Sequence, residues 1–174
     1  MAIPDYQSFM LPILQYLADG DETPVAMLRK QLADHFALTE EDRETLLPSR
    51  TQAVYENRIG WATSYLKHAS LLQYVKRGVY QITDRGREIA ADPPDRIDIG
   101  FLEQFPESIE FRTRGRTESE KGKLSTAEED QSTKTPDEKI EAAYSQRRDR
   151  LLAKLISGEP RVPKARDAVE ESTA

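Results

Sequence analysis

Apolar residues recur at helical spacing through the first seventy positions, and the period then changes. Phe9, Ile13, Leu14 and Leu17 place one apolar face on a helix over residues 5–18, with Pro12 as a mid-helix blemish expected to kink it. Asp19-Gly20-Asp21 supplies turn chemistry. Thr23 then caps a second helix with Pro24 at its first position, and Val25, Leu28, Leu32 and Phe36 form its stripe. Thr39 and Asp42 make a capping-box-like start for a short third helix. Leu46-Leu47-Pro48-Ser49 breaks it. A longer helix over residues 54–70 carries Tyr55, Ile59, Ala62, Leu66 and Ala69 on one face. Its opposite face holds Asn57, Trp61, Ser64 and His68, flanked by Arg58 and Tyr65 on one side and Lys67 on the other. Residues 72–83 are β-rich and split by Lys76-Arg77-Gly78, which predicts a hairpin with a basic tip. Thr83 to Arg87 turns into a short closing helix that runs to Ala91.

This order of elements predicts a mainly α fold with a small β-hairpin, a winged helix-turn-helix over residues 1–92. The segment 93–112 keeps Ile97, Ile99, Phe101, Leu102, Phe105, Ile109 and Phe111, and reads as a strap packed on the domain. Residues 113–134 are polar and charged and read as a disordered linker. Thr135-Pro136-Asp137-Glu138 is a helix start of the capping-box type, opening an isolated helix over 135–156 with Ile140, Tyr144, Leu151 and Leu155 on one face. That helix has no evident partner within the chain. Residues 157–174 read as a disordered tail.

Charge sharpens this picture. The 174-residue chain has a net charge of −6, which by itself argues against nucleic-acid binding. Distribution matters more than the total. Between Leu47 and Arg87 there are seven basic residues and two acidic ones. Cysteine is absent, which removes disulfides, thiolate ligands and thiol nucleophiles, and fits the cytoplasm. No apolar run reaches the length of a membrane span, and the first residues lack a signal-peptide pattern. Only His35 and His68 are present, far apart, so no histidine-based metal site is expected.

The candidate chemistry is recognition. On the outward face of the long helix, Asn57 has the donor–acceptor pair that reads adenine, and Arg58 suits guanine or phosphate. Ser64, Tyr65 and Lys67 suit phosphate contacts, which set position. Trp61 has two readings: contact with DNA, or packing beneath the strap at 97–111. At the hairpin tip, Lys76 and Arg77 can reach a phosphate or an adjacent minor groove, and Arg50 precedes the helix as a further phosphate contact. Asp137 and Lys139 have the spacing of a nuclease acid and lysine, but at a helix start their side chains diverge, and no catalysis is expected there.

Several segments resemble the N-terminal domain of Mrr-like restriction endonucleases. They are Pro4-Asp5-Tyr6 with Leu11 to Leu17, Leu46 to Ser49, Tyr55-Glu56-Asn57-Arg58-Ile59-Gly60-Trp61-Ala62 with Tyr65-Leu66-Lys67, and the wing from Arg77 to Gly86. The run from Asn57 to Ala62 is the most specific. In that family a winged helix precedes a PD-(D/E)xK nuclease domain through a linker helix, and Thr135 to Tyr144 resembles the start of that helix. The resemblance implies a DNA-binding module of a restriction system. Few residues follow position 156, so the nuclease domain is expected to be absent and the chain not to be an enzyme, with no cofactor. Duplex DNA is the expected partner. A nuclease subunit, or self-association through the 136–156 helix, is a further partner, and a membrane is not. The alternatives are a protein-interaction scaffold of a restriction system, or the targeting subunit of a separately encoded nuclease.

Overall fold

A computed structural model of the protein describes residues 3–113 and 134–156. Of the expected linker, 113–134, residues 114–133 lie outside the described residues, as does the expected tail, 157–174, while Thr113 ends a helix. The chain divides into two compact units, Met1–Glu138 and Lys139–Ala174.

The first unit is mainly helical with one small antiparallel sheet. Its elements are α1 (Met10–Tyr16), β1 (Thr23–Pro24), α2 (Val25–His35), α3 (Glu40–Glu44), α4 (Val54–His68), β2 (Leu72–Lys76), β3 (Val79–Ile82), α5 (Asp84–Ala91), α6 (Ile99–Leu102) and α7 (Pro106–Thr113). The first turn of a last helix, α8 (Pro136–Ile156), also belongs to it.

The first helix is shorter than expected. The Asp5 carboxylate accepts from the N–H groups of Gln7 and Ser8 and from the Ser8 hydroxyl, so residues 6–9 wind as turns before α1 begins. Pro12 is therefore the third residue of α1. Its missing N–H has no partner to lose there, and the expected mid-helix disruption does not arise. The capping box between Thr39 and Asp42 forms at α3 as expected.

Thr23 and Pro24 are a correction. Thr23 does not cap α2; Pro24 takes the N-cap position with extended backbone, and the two residues form an edge strand that pairs Thr23 with Tyr80 and Pro24 with Val79. The sheet order is β1-β3-β2, and a bulge between Tyr74 and Lys76 precedes the tip. Gly78 takes the left-handed conformation at that tip (φ 74°), which closes the turn at no steric cost.

The core forms where the sequence stripes meet. Phe9, Ile13 and Leu14 of the first helix region, Leu28 and Leu32 of α2, and Ile59 and Leu66 of α4 are fully buried with Leu71 and Ile82 of the sheet region. Residues 93–113 fold over one side of this core as α6 and α7. Ile97, Ile99 and Leu102 are buried, and the buried Ile99 N–H donates to Gln7 Oε1 at 3.0 Å. Phe111 of α7 stacks on His68 (centroids 3.7 Å apart) and meets Tyr65 edge-on at 5.7 Å.

The second unit is described over 139–156, the remainder of α8. Ile140, Tyr144, Leu151, Leu152 and Ile156 are exposed along it. No described helix is long and apolar enough to cross a membrane.

Candidate nucleic-acid interface

Helix α4 follows a loop closed by the isolated bridge between Leu46 and Ala53, with the Val54 N–H donating to the Thr45 carbonyl. Arg50 lies in that loop with a left-handed backbone (φ 58°) and an exposed side chain. The apolar face of α4 enters the core as its spacing required. The other face departs from expectation.

Asn57 is buried, only 4% exposed. Its amide nitrogen donates to Asp137 Oδ2 at 2.8 Å, and its amide oxygen accepts from the Thr135 hydroxyl at 2.8 Å. Trp61 is half-buried, and its indole N–H donates to the same Asp137 oxygen at 3.0 Å. Arg58 is held from two sides. Its Nη1 donates to the carbonyls of Ile3 (2.6 Å) and Pro4 (2.9 Å), while Nε and Nη2 reach the Glu138 carboxylate at 3.2 and 2.7 Å. The segment Thr135–Glu138 thus lies against the N-terminal half of α4. It is organised by its own capping box, in which the Thr135 N–H donates to Glu138 Oε2 and the Glu138 N–H donates to the Thr135 hydroxyl.

Four site expectations change. The outward face around Asn57 is covered, by residues 135–138 and not by the 97–111 strap. Arg58 is already engaged by its own chain. The Trp61 ring leans on Tyr65 (centroids 6.1 Å apart), but its polar edge meets Asp137 and not the strap. Tyr65, expected on a flank, is buried between Tyr6 and Phe111. The expectation that α8 lacks a partner in the chain is also corrected, since its first turn has one.

The remaining candidates face outward. Ser64 is half-buried and lines an open depression of about 290 Å³ together with Gln52, Asn57, Gly60, Trp61 and Asp137. Lys67, Lys76 and Arg77 are exposed. Lys76 pairs with Glu22 at 3.4 Å, with both side chains about half exposed or more. Such a pair is worth little and exchanges readily for another anion. Arg50, Lys67 and Arg77 form no ion pair among the described residues. The structure therefore gathers Asn57, Arg58 and Trp61 into one internally bonded cluster and leaves Arg50, Lys67, Lys76 and Arg77 as accessible cations.

Thr135, Asp137 and Glu138 are the site residues that sequence reasoning missed. Their cap was visible as Thr-Pro-Asp-Glu, but partners about eighty positions away leave no local spacing to read. Among the described residues no group of three or more His, Cys, Asp or Glu could hold a metal ion.

Glu138 illustrates the electrostatics. Burial raises its pKa, but hydrogen bonds from Arg58 and from the Thr135 backbone outweigh burial and hold the carboxyl below its ordinary value. A depressed acid contributes stability above its unfolded pKa and loses it as pH falls through the folded one. Wild type should therefore exceed Glu138→Gln in melting temperature above pH ~4.3, the free glutamate value, with the gap closing as the pH drops below it. Thermal melts across that range provide the check, and a gap that stays constant with pH would contradict the assignment.

A model of the family described as the Mrr N-terminal domain matches residues 6–92, half of the chain. The chain belongs to the Mrr N-terminal domain family. It is also similar to the type IV methyl-directed restriction enzyme EcoKMrr of Escherichia coli (strain K12), 27% identical over 161 residues that make up 90% of this chain and 53% of the relative. The chain thus spans about half the length of the curated relative it matches. No solved structure matches. In this Mrr N-terminal domain the family match contains α4 and the basic hairpin, and it ends before the Thr135–Glu138 segment.

Proposed function

We propose that this domain binds duplex DNA as a winged-helix module of a restriction system. Lys76 and Arg77 at the hairpin tip take backbone phosphates, Lys67 and Arg50 add phosphate contacts, and Ser64 stands three residues before Lys67 on α4. The observation that carries the reading is the exposed Lys76-Arg77 pair on a tight turn, in a chain whose overall charge is negative. Cations placed against the net charge fit an anionic partner. Similarity to a protein named as a methyl-directed restriction enzyme supports the same partner class. On this reading the described residues target DNA, and the cleavage chemistry of restriction belongs elsewhere.

The test is charge reversal at the tip. Lys76→Glu with Arg77→Glu should weaken binding of a labelled duplex by about tenfold or more at low salt, because two phosphate contacts become repulsions. Melting temperature should hold, since both side chains are exposed. An unchanged affinity would reject the assignment.

A protein-interaction role is favoured by one observation: the donor-rich face of α4 is engaged by carboxylates of the chain itself. That role requires duplex affinity to be absent or indifferent to the tip reversal.

A further inference from the structure

The covered face of α4 is rich in donors, with the Asn57 amide oxygen as an acceptor. Asn57 Nδ2, Trp61 Nε1 and the Nε and Nη2 of Arg58 all point at carboxylate oxygens, at 2.7–3.2 Å. Phosphate oxygens make the same demand on the same groups. The arrangement of Arg58 is informative. Its Nη1 is tied to the Ile3 and Pro4 carbonyls independently of Glu138. If Glu138 leaves, the guanidinium stays oriented, and its remaining edge is a preformed two-donor fork.

The contacts made by Asp137 and Glu138 with α4 are polar. Each can be exchanged for a phosphate oxygen, while the donation from the buried Thr135 hydroxyl to Asn57 Oδ1 (2.8 Å) has to be taken over by water. The segment is the cap and first turn of α8, and its capping box can stay intact when it leaves α4.

We propose that Thr135–Glu138 is an autoinhibitory latch: its two carboxylates stand in for DNA phosphates on the N-terminal half of α4, and duplex DNA displaces them. This rests on the DNA-binding reading above. Latched molecules bind through the hairpin tip alone. Unlatched molecules add Asn57, Arg58 and Trp61 to the interface. A domain whose competent state is a minor fraction shows an affinity reduced by that fraction, and removing the latch restores it.

The experiment uses the full chain and a short labelled duplex, with binding read by fluorescence anisotropy. Asp137→Asn with Glu138→Gln is compared with wild type and with a charge-matched control, Asp92→Asn with Asp95→Asn, at exposed positions. Amide hydrogen exchange over residues 134–138 is followed in wild type with and without DNA. The latch variant should bind about tenfold more tightly, which requires the latch to be closed in at least about nine molecules of ten, since latched molecules keep the weaker hairpin-tip contact. The control should show only a small gain, and DNA should speed exchange across 134–138. If the latch variant binds no better than the control, or the segment stays protected when wild type is saturated with DNA, the segment is a fixed brace and the inference fails while DNA binding stands. If none of the proteins binds duplex at low salt, the DNA reading fails and the latch falls with it.

Discussion

Replacing Arg58 with alanine should lower the stability of the first unit by about 3 kcal/mol, the lower end of what removing one partner of a buried ion pair costs. The side chain is 16% exposed and Glu138 12% exposed, so both charges lie largely out of water. Alanine removes the hydrogen bonds to the Ile3 and Pro4 carbonyls, each charge-assisted, and leaves Glu138 without its counter-ion. Glu138 can swing toward solvent, which is why the lower end applies. Arg58→Lys should recover little of this loss. An ammonium on a single stem cannot serve two carbonyls on one side and a carboxylate on the other. The check is thermal or urea unfolding of the three proteins. A melting temperature for Arg58→Ala within about 2 °C of wild type would show that Arg58 has no structural part, since roughly 3 kcal/mol corresponds to a far larger shift in a unit of this size.

Gly86→Ala should be at least as damaging, for a steric reason. Gly86 is the third residue of α5 and is buried, and its N–H donates to the Thr83 hydroxyl at 3.1 Å. A Cβ there would collide with the Leu71 carbonyl oxygen and lie 2.7 Å from Ile82 Cγ1. The oxygen cannot retreat cheaply, because it also accepts from the Thr83 N–H and hydroxyl, each at 3.0 Å. Either α5 lifts off the sheet or the strand that carries Leu72 moves. Overpacking against mobile side chains costs about 1–3 kcal/mol, and a backbone obstacle places this case at or above about 3 kcal/mol. The expected result is a melting temperature roughly 10 °C lower. Because the displaced strand leads to the basic tip, DNA affinity should fall with it. A stable Gly86→Ala protein with unchanged affinity would mean that α5 does not sit against Leu71 as described.

What the sequence revealed follows from the range of each interaction. The stripe Ile59, Ala62 and Leu66 named the buried face of α4, and Thr39 with Asp42 named a cap, because each signal lies within one or two helical turns. Thr23-Pro24 could not be seen as a strand. Two residues show no alternation, and their pairing with Tyr80 and Val79 is set by the hairpin far along the chain. Gly86 read as a turn residue, whereas its place is inside a helix, where close backbone approach requires it. The polar face of α4 was the largest departure. Polar residues at Asn57 and Arg58 looked solvent-facing from periodicity alone. Their carboxylate partners arrive from Asp137 and Glu138, and nothing local distinguishes a donor facing water from one facing a distant acid. The hairpin-tip cations were legible because an exposed turn keeps them accessible, even where Lys76 meets the distant but exposed Glu22.

The proposed phosphate contacts of Lys76 and Arg77 should be read out by the salt dependence of duplex affinity. Each phosphate contact adds about −0.9 to the slope of log affinity against log salt on duplex DNA. Wild type should show a slope near −3 or steeper, and Lys76→Ala with Arg77→Ala should flatten it by about 2. Identical slopes for the two proteins would contradict the account.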